Sequence, residues 1–219
     1  AIEINPKNFW AWNYLGVLLS HRQWRPSEAE VAFRKAMEID PLKDGPWTGL
    51  GIILKDFHGD DLAAKEAYLK AIELNPKGCW QWNNLGILYN ERLDDQKEAE
   101  ASYRKAIELD DSAAKPWLNL GNVLTLNLSR HEEAERAYRK SIELDPAYGR
   151  ANSCLAMMWF YLRRKKSEAR SEALQGFRKS PEEGFCRQWF HILCFTHPES
   201  LRSVLPEVSH WCTKHPDDQ

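Results

Sequence analysis

Apolar and polar positions along this chain follow a helical rhythm, and that rhythm recurs at a fixed interval. Trp12, Leu15 and Leu19 fall at i, i+3 and i+7, one face of a helix. The same face returns 35 residues later as Trp47, Leu50 and Leu54, then as Trp82, Leu85 and Tyr89, and again as Trp117, Leu120 and Leu124. A fifth copy reads Asn152, Leu155 and Trp159. A small residue follows each Leu: Gly16, Gly51, Gly86, Gly121 and Ala156. Gly inside a helix costs about 1 kcal/mol of propensity relative to Ala. Its recurrence therefore predicts that another helix passes too close for a larger side chain.

A second helix follows in each copy, with a different face. Its columns are Ala29, Ala64, Ala99, Ala134 and Ala169, then Phe33, Tyr68, Tyr103, Tyr138 and Ala173, then Ala36, Ala71, Ala106, Ser141 and Gly176. Small residues at i and i+7 bracketing an aromatic at i+4 fit closely onto the first helix and predict a helical hairpin. Capping boxes at Ser27-x-x-Glu30, Asp95-x-x-Glu98 and Ser129-x-x-Glu132 predict where several second helices begin. Pro41, Pro76, Pro146 and Pro181 predict where they end. A fixed period of this length means an all-α array in which each unit buries its apolar face against its neighbours, and it points to binding rather than catalysis.

The Trp, Leu-Gly, Ala, Phe/Tyr, Ala and Pro columns resemble the tetratricopeptide repeat over residues 9–181, as five units. The family's usual unit is one residue shorter, and the extra residue falls between the Gly column and the first Ala column. A slightly longer turn between the two helices is expected there. The resemblance implies an α–α superhelix, a right-handed solenoid of antiparallel hairpins with the first helices on its concave side. Ala1 to Pro6 repeat the end of a second helix, so residues 1–8 are expected to be the remnant of an upstream repeat in a longer polypeptide. Residues 182–219 carry the register on, with Pro216 in the Pro column, and are expected to form a degenerate sixth hairpin that caps the array.

The concave positions that the resemblance implies are neutral and rich in amides. They include Asn13, Asn83, Asn84, Asn119 and Asn122, with Ile87 and Asn90. An Asn side chain offers both a donor and an acceptor, suited to the backbone of an extended peptide. Trp10 and Trp80 share one column at the start of the first helix, with Gly45 between them, and are candidate aromatic anchors. Lys55 is the one base in these columns, so the cationic clamp with which some family members hold acidic carboxyl-terminal peptides of chaperones is absent.

With 30 basic and 32 acidic residues, the chain has no overall field to draw it to nucleic acid or a membrane surface. Arg163 to Lys166 form a local basic run, read as a solvated loop. No apolar stretch approaches the roughly 20 residues needed to span a bilayer. Five cysteines, odd in number and irregularly spaced, read as reduced thiols of a cytoplasmic protein. Cys194-x-x-His197 and Cys212-x-x-His215 have the spacing of paired zinc ligands, but both thiols fall in columns that are apolar elsewhere in the array, where Cys packs as a small hydrophobe. No metal or other cofactor is therefore expected.

The sequence holds no Gly-rich phosphate loop and no catalytic triad. The expected role is a non-catalytic scaffold for a protein or peptide, with no small-molecule substrate. Two alternatives stand beside it: a sensor region of a larger bacterial signalling protein with a separate effector, and a zinc-binding or enzymatic role for the Cys/His-rich tail.

Overall fold

The computed structural model describes residues 5–21, 25–126, 130–161 and 166–179. Among these, ten α-helices pair into five antiparallel hairpins: α1 (Phe9–His21) with α2 (Pro26–Ile39), α3 (Asp44–Ile53) with α4 (Asp61–Leu74), α5 (Cys79–Glu91) with α6 (Gln96–Leu109), α7 (Ala114–Leu126) with α8 (His131–Leu144), and α9 (Arg150–Tyr161) with α10 (Lys166–Lys179). The chain divides into two compact units, Ala1–Asp111 and Ser112–Gln219. In the first, α2 packs on α3 and α4 on α5, while α1 also touches α3. In the second, α8 packs on α9, and α7 touches α9.

The recurring glycines show how each hairpin closes. A Cβ on Gly16, Gly51, Gly86 or Gly121 would lie 2.6, 2.5, 2.7 or 2.6 Å from a ring carbon of Phe33, Tyr68, Tyr103 or Tyr138 respectively. Each ring comes from the second helix of the same hairpin and is almost fully buried. The fifth hairpin has Ala156 and Ala173 in these two columns, both completely buried, so the larger small residue accompanies the smaller partner.

The turn between the two helices takes up the extra residue in a regular way. The backbone N–H groups of Arg25, Asp60 and Asp95 donate to the carbonyls of Leu19, Leu54 and Tyr89, six residues back, at 3.1, 3.1 and 2.9 Å. In the second hairpin α3 widens into a π-helical turn at Leu54–His58 before the chain reverses. Gly59 and Asp94 occupy one column of this turn in left-handed conformations, with φ of 65° and 51°. Gly adopts that region freely and Asp tolerates it better than most side chains.

The caps differ in part from the expectation. Asp95 does cap α6, accepting from the Glu98 N–H at 3.2 Å. Asp60, which has no Glu or Gln three residues on, caps α4 through the Ala63 N–H at 3.0 Å. Ser27 lies inside α2, whose N-cap is Arg25, and α8 is capped at Arg130 rather than at Ser129. Arg25 and Arg130 make no side-chain cap; they pair instead with Glu28 and Glu133. Ser129, the basic run at 163–165, Pro181 and the expected sixth hairpin lie outside the described residues, as do residues 1–4.

Candidate functional site

The first helices of unit one carry the candidate anchors on water. Trp10 is 59 % exposed on α1 and Trp80 is 49 % exposed on α5, with Gly45, also exposed, in the same column of α3. Three residues beyond Trp10, the Asn13 side-chain oxygen lies 3.4 Å from where a Cβ on Gly45 would stand. Tyr14, 63 % exposed, and Val17, 40 % exposed, extend the α1 face.

The amides of this face divide by environment. Asn83 is only 3 % exposed and belongs to the packed interior of the unit, so its side chain is not presented to a ligand. Asn84, Ile87 and Asn90 are half-buried, and the Asn90 side-chain oxygen is turned inside. A polar cluster that sequence reading passed over lies beside them. Asp44 Oδ2 accepts from Asn75 Nδ2 at 3.1 Å and from Gln81 Nε2, which seats the start of α5 against the start of α3. The one available signal was the column itself, since Asp44 and Cys79 are equivalent, as are Asn75 and Asp110. In that second pair the Cys79 thiol donates to Asp110 Oδ2 at 3.8 Å. Burial first, then the Asp110 charge, raises the thiol pKa, leaving a packed and weakly nucleophilic sulfur.

Lys55 is neutralised within the face. Its side chain is 13 % exposed, with Nζ 2.6 Å from Asp56 Oδ1 and 3.5 Å from Glu91 Oε2. An acidic ligand would have to displace both carboxylates.

In unit two, Asn119 is half-buried. Asn122 is engaged internally: Tyr138 Oη donates to its Oδ1 at 3.0 Å, and Thr125 Oγ1 lies 2.9 Å from the same hydroxyl. The amide oxygen expected to meet a peptide thus serves the hairpin's own aromatic. Trp159 is buried, with its Nε1 donating to Glu135 at 3.0 Å, and so packs within the core of the unit.

Among the described residues no three His, Cys, Asp or Glu side chains gather as a metal site, and no helix is long and apolar enough to cross a membrane. Cys194, His197, Cys212 and His215 lie outside the described residues.

Antiparallel hairpins repeated at a fixed interval, the first four each closed by an aromatic ring on a glycine and the fifth by Ala173 in the same column, define a helical-hairpin solenoid. The chain belongs to the tetratricopeptide-repeat family: two sequence profiles, each described as tetratricopeptide repeat, match residues 47–77 and 114–148, and residues 1–30 and 67–101. No curated protein matches the sequence. Solved structures share the fold. One, described as "Functional Characterization of Pseudomonas Aeruginosa pilF", has a TM-score of 0.72 at 20 % identity, covering 89 % of this chain and 90 % of that one. TTC0263, a thermophilic TPR protein of Thermus thermophilus, has a TM-score of 0.70 at 18 % identity, covering 85 % and 99 %. YrrB, described as a TPR protein with an unusual peptide-binding site, has a TM-score of 0.58 at 20 % identity, covering 83 % and 91 %. The fold class is the all-α α–α superhelix of tetratricopeptide proteins, a framework for protein interaction.

Proposed function

We propose that this chain is a non-catalytic interaction scaffold of the cytoplasm that holds a peptide, or an extended segment of a partner protein, against its first helices. In unit one the contacts are Trp10, Trp80, Asn13, Asn84, Ile87 and Asn90; in unit two they centre on Asn119. The observation that carries this reading is Trp80. It sits on α5, which packs against both α4 and α6, yet about half of its surface meets water. Exposed indoles are typical binding hot spots, and here two of them share a column.

The near balance of 30 basic and 32 acidic residues supports a protein partner over nucleic acid. The YrrB structure, described by its peptide-binding site, supports the fold's suitability for such a ligand. Panning a display library of random peptides about twelve residues long, which span roughly 40 Å when extended, tests the reading. Selected binders should lose at least about tenfold in affinity on Trp10→Ala plus Trp80→Ala, since each hot spot contributes about 1 kcal/mol or more. Binders held with undiminished affinity would move the site off this face.

A further inference from the structure

Three positions of α1 stand open where the later first helices are closed. Leu18 is 46 % exposed, whereas Ile53 on α3, Leu88 on α5 and Met158 on α9, in the same column, are buried. Leu15 is half-buried, and its equivalents Leu50, Leu85 and Leu155 are buried. Ala11 is half-buried as well, where Pro46, Gln81 and Ala151 are buried. Ala11, Leu15 and Leu18 fall at i, i+4 and i+7, so they form one continuous stripe along a single helix.

Elsewhere that stripe is covered by the second helix of the preceding hairpin: α2 packs on α3, α4 on α5 and α8 on α9. The chain also enters α1 through the turn that follows those covering helices. The Lys7 N–H donates to Asn5 Oδ1 at 3.1 Å, as the Leu42 N–H does to Asp40 Oδ1 at 3.1 Å and the Ala147 N–H to Asp145 Oδ1 at 3.2 Å. The Asn8 N–H donates to the Asn5 carbonyl at 3.1 Å, matching Gly78 on Asn75 at 3.1 Å. Asp40, Asn75 and Asp145 are the C-caps of α2, α4 and α8. Asn5 stands in their column and makes their bonds.

We propose that the Ala11–Leu15–Leu18 stripe is the seat of one more second helix, supplied by the same polypeptide immediately ahead of Asn5 and lying on α1 as α2 lies on α3. Ala1 and Ile2 already fall in the Ala36 and Met37 columns of such a helix. Tyr14 sets its chemistry. On α1 this residue holds the place that Gly49 holds on α3, where the Phe33 ring packs. Two rings at that point would overpack, so the seated helix carries a small residue in its ring column. It leaves Trp10 on water, since Trp80 in the same column stays half-exposed although α4 packs on α5.

The test joins a helix of this kind to the full 219-residue chain. A copy of residues 60–70, the N-cap and body of α4, placed directly before Ala1 keeps the repeat in step, because Ala71 and Ala1 share a column. One graft copies the segment unchanged; the other has Ala where the copy carries Tyr68. Each is compared with the ungrafted chain by thermal melting.

The Ala graft should raise Tm by about 3 °C or more, and the Tyr graft by less. Leu18→Ala, which alters a half-solvated side chain in the ungrafted protein, should change Tm little there and remove much of the gain in the grafted one; Leu18→Asp should remove it all. No gain from either graft, or a gain that survives Leu18→Asp, overturns the seat. A Tyr graft that stabilises as well as the Ala graft overturns the small-residue requirement. Self-association of the ungrafted chain in sedimentation velocity, abolished by Leu18→Asp, would make the occupant a second copy and overturn the upstream helix.

Discussion

Gly51 packs directly beneath the ring of Tyr68: a methyl group on Gly51 would lie 2.5 Å from Tyr68 Cε1, a separation that packed carbon atoms do not sustain. The same pairing recurs at Gly16 with Phe33, Gly86 with Tyr103 and Gly121 with Tyr138. Gly51→Ala should therefore destabilise by about 1–3 kcal/mol through overpacking, less the propensity gain of about 1 kcal/mol. Combined with Tyr68→Leu, the two losses should sum to less than their separate values, with a coupling of about 0.5 kcal/mol or more. A double-mutant cycle by urea denaturation measures this, and strict additivity would mean that the ring does not set the size limit.

Two equivalent tyrosines should respond oppositely to loss of the hydroxyl. Tyr138 Oη donates to Asn122 and sits beside Thr125, so Tyr138→Phe strands a half-buried amide oxygen and should cost about 1–3 kcal/mol. Tyr68 is fully buried and its Oη has no hydrogen-bond partner among the described residues, so Tyr68→Phe should be neutral or slightly stabilising. Equal losses in the two variants, measured by thermal melting, would contradict this assignment.

The pKa values of Tyr68, Tyr103 and Tyr138 are raised well above the usual phenol range, in each case chiefly by burial. Neighbouring negative charges add to the shift: Asp56 and Glu91 at Tyr68, and Glu91 at Tyr103. The neutral phenol is favoured in the folded state, so this stability is fully present below about pH 10, where tyrosine in an unfolded chain begins to ionise. It is lost progressively as pH rises from there. Absorbance at the phenolate band should show these tyrosines ionising together with loss of the helical circular dichroism signal; independent ionisation in a folded chain would refute it.

Asn83 and Asn84 are adjacent in sequence but should behave as different kinds of residue. Asn83→Ala removes a buried polar side chain and should cost about 1–3 kcal/mol of stability. Asn84→Ala should change stability by about 0.5 kcal/mol or less and reduce affinity for peptides selected on the wild-type chain. Comparing melting temperature with peptide affinity separates the two, and a binding loss confined to Asn83→Ala would reverse their roles.

Much of the fold was legible because its physics is local and repeated. Leu15, Gly16 and Leu19 mark a helix face by spacing alone, and the Gly column told of a close approach before its partner ring was visible. The cap at Asp95 was readable for the same reason. Asp60 was passed over because its bond runs to the backbone of Ala63 and needs no Glu or Gln three residues on. Ser27 fitted the capping motif yet fell inside α2, because the N-cap column of the second helices is Arg25, Asp60, Asp95 and Arg130, two residues before it.

The candidate face was legible only as a set of columns. Trp10 and Trp80 do lie on water, but Asn83 turned inward and Asn122 went to Tyr138. Column membership says which way a position faces in an average repeat. It does not say which side chain from another element meets it there.

The sequence by itself determined the all-α hairpin architecture, the tetratricopeptide family, the matched glycine and aromatic columns and the balanced charge, because each follows from spacing or composition within one chain segment. Tertiary structure decided which polar groups are spent internally: Gln81 on Asp44, Asn122 on Tyr138 and Lys55 on Asp56 and Glu91. Apart from Lys55 with its neighbour Asp56, those pairings join residues 16, 36 and 37 positions apart. Whether an amide is solvated or satisfied depends on that distant partner's length and chemistry, which no local pattern encodes.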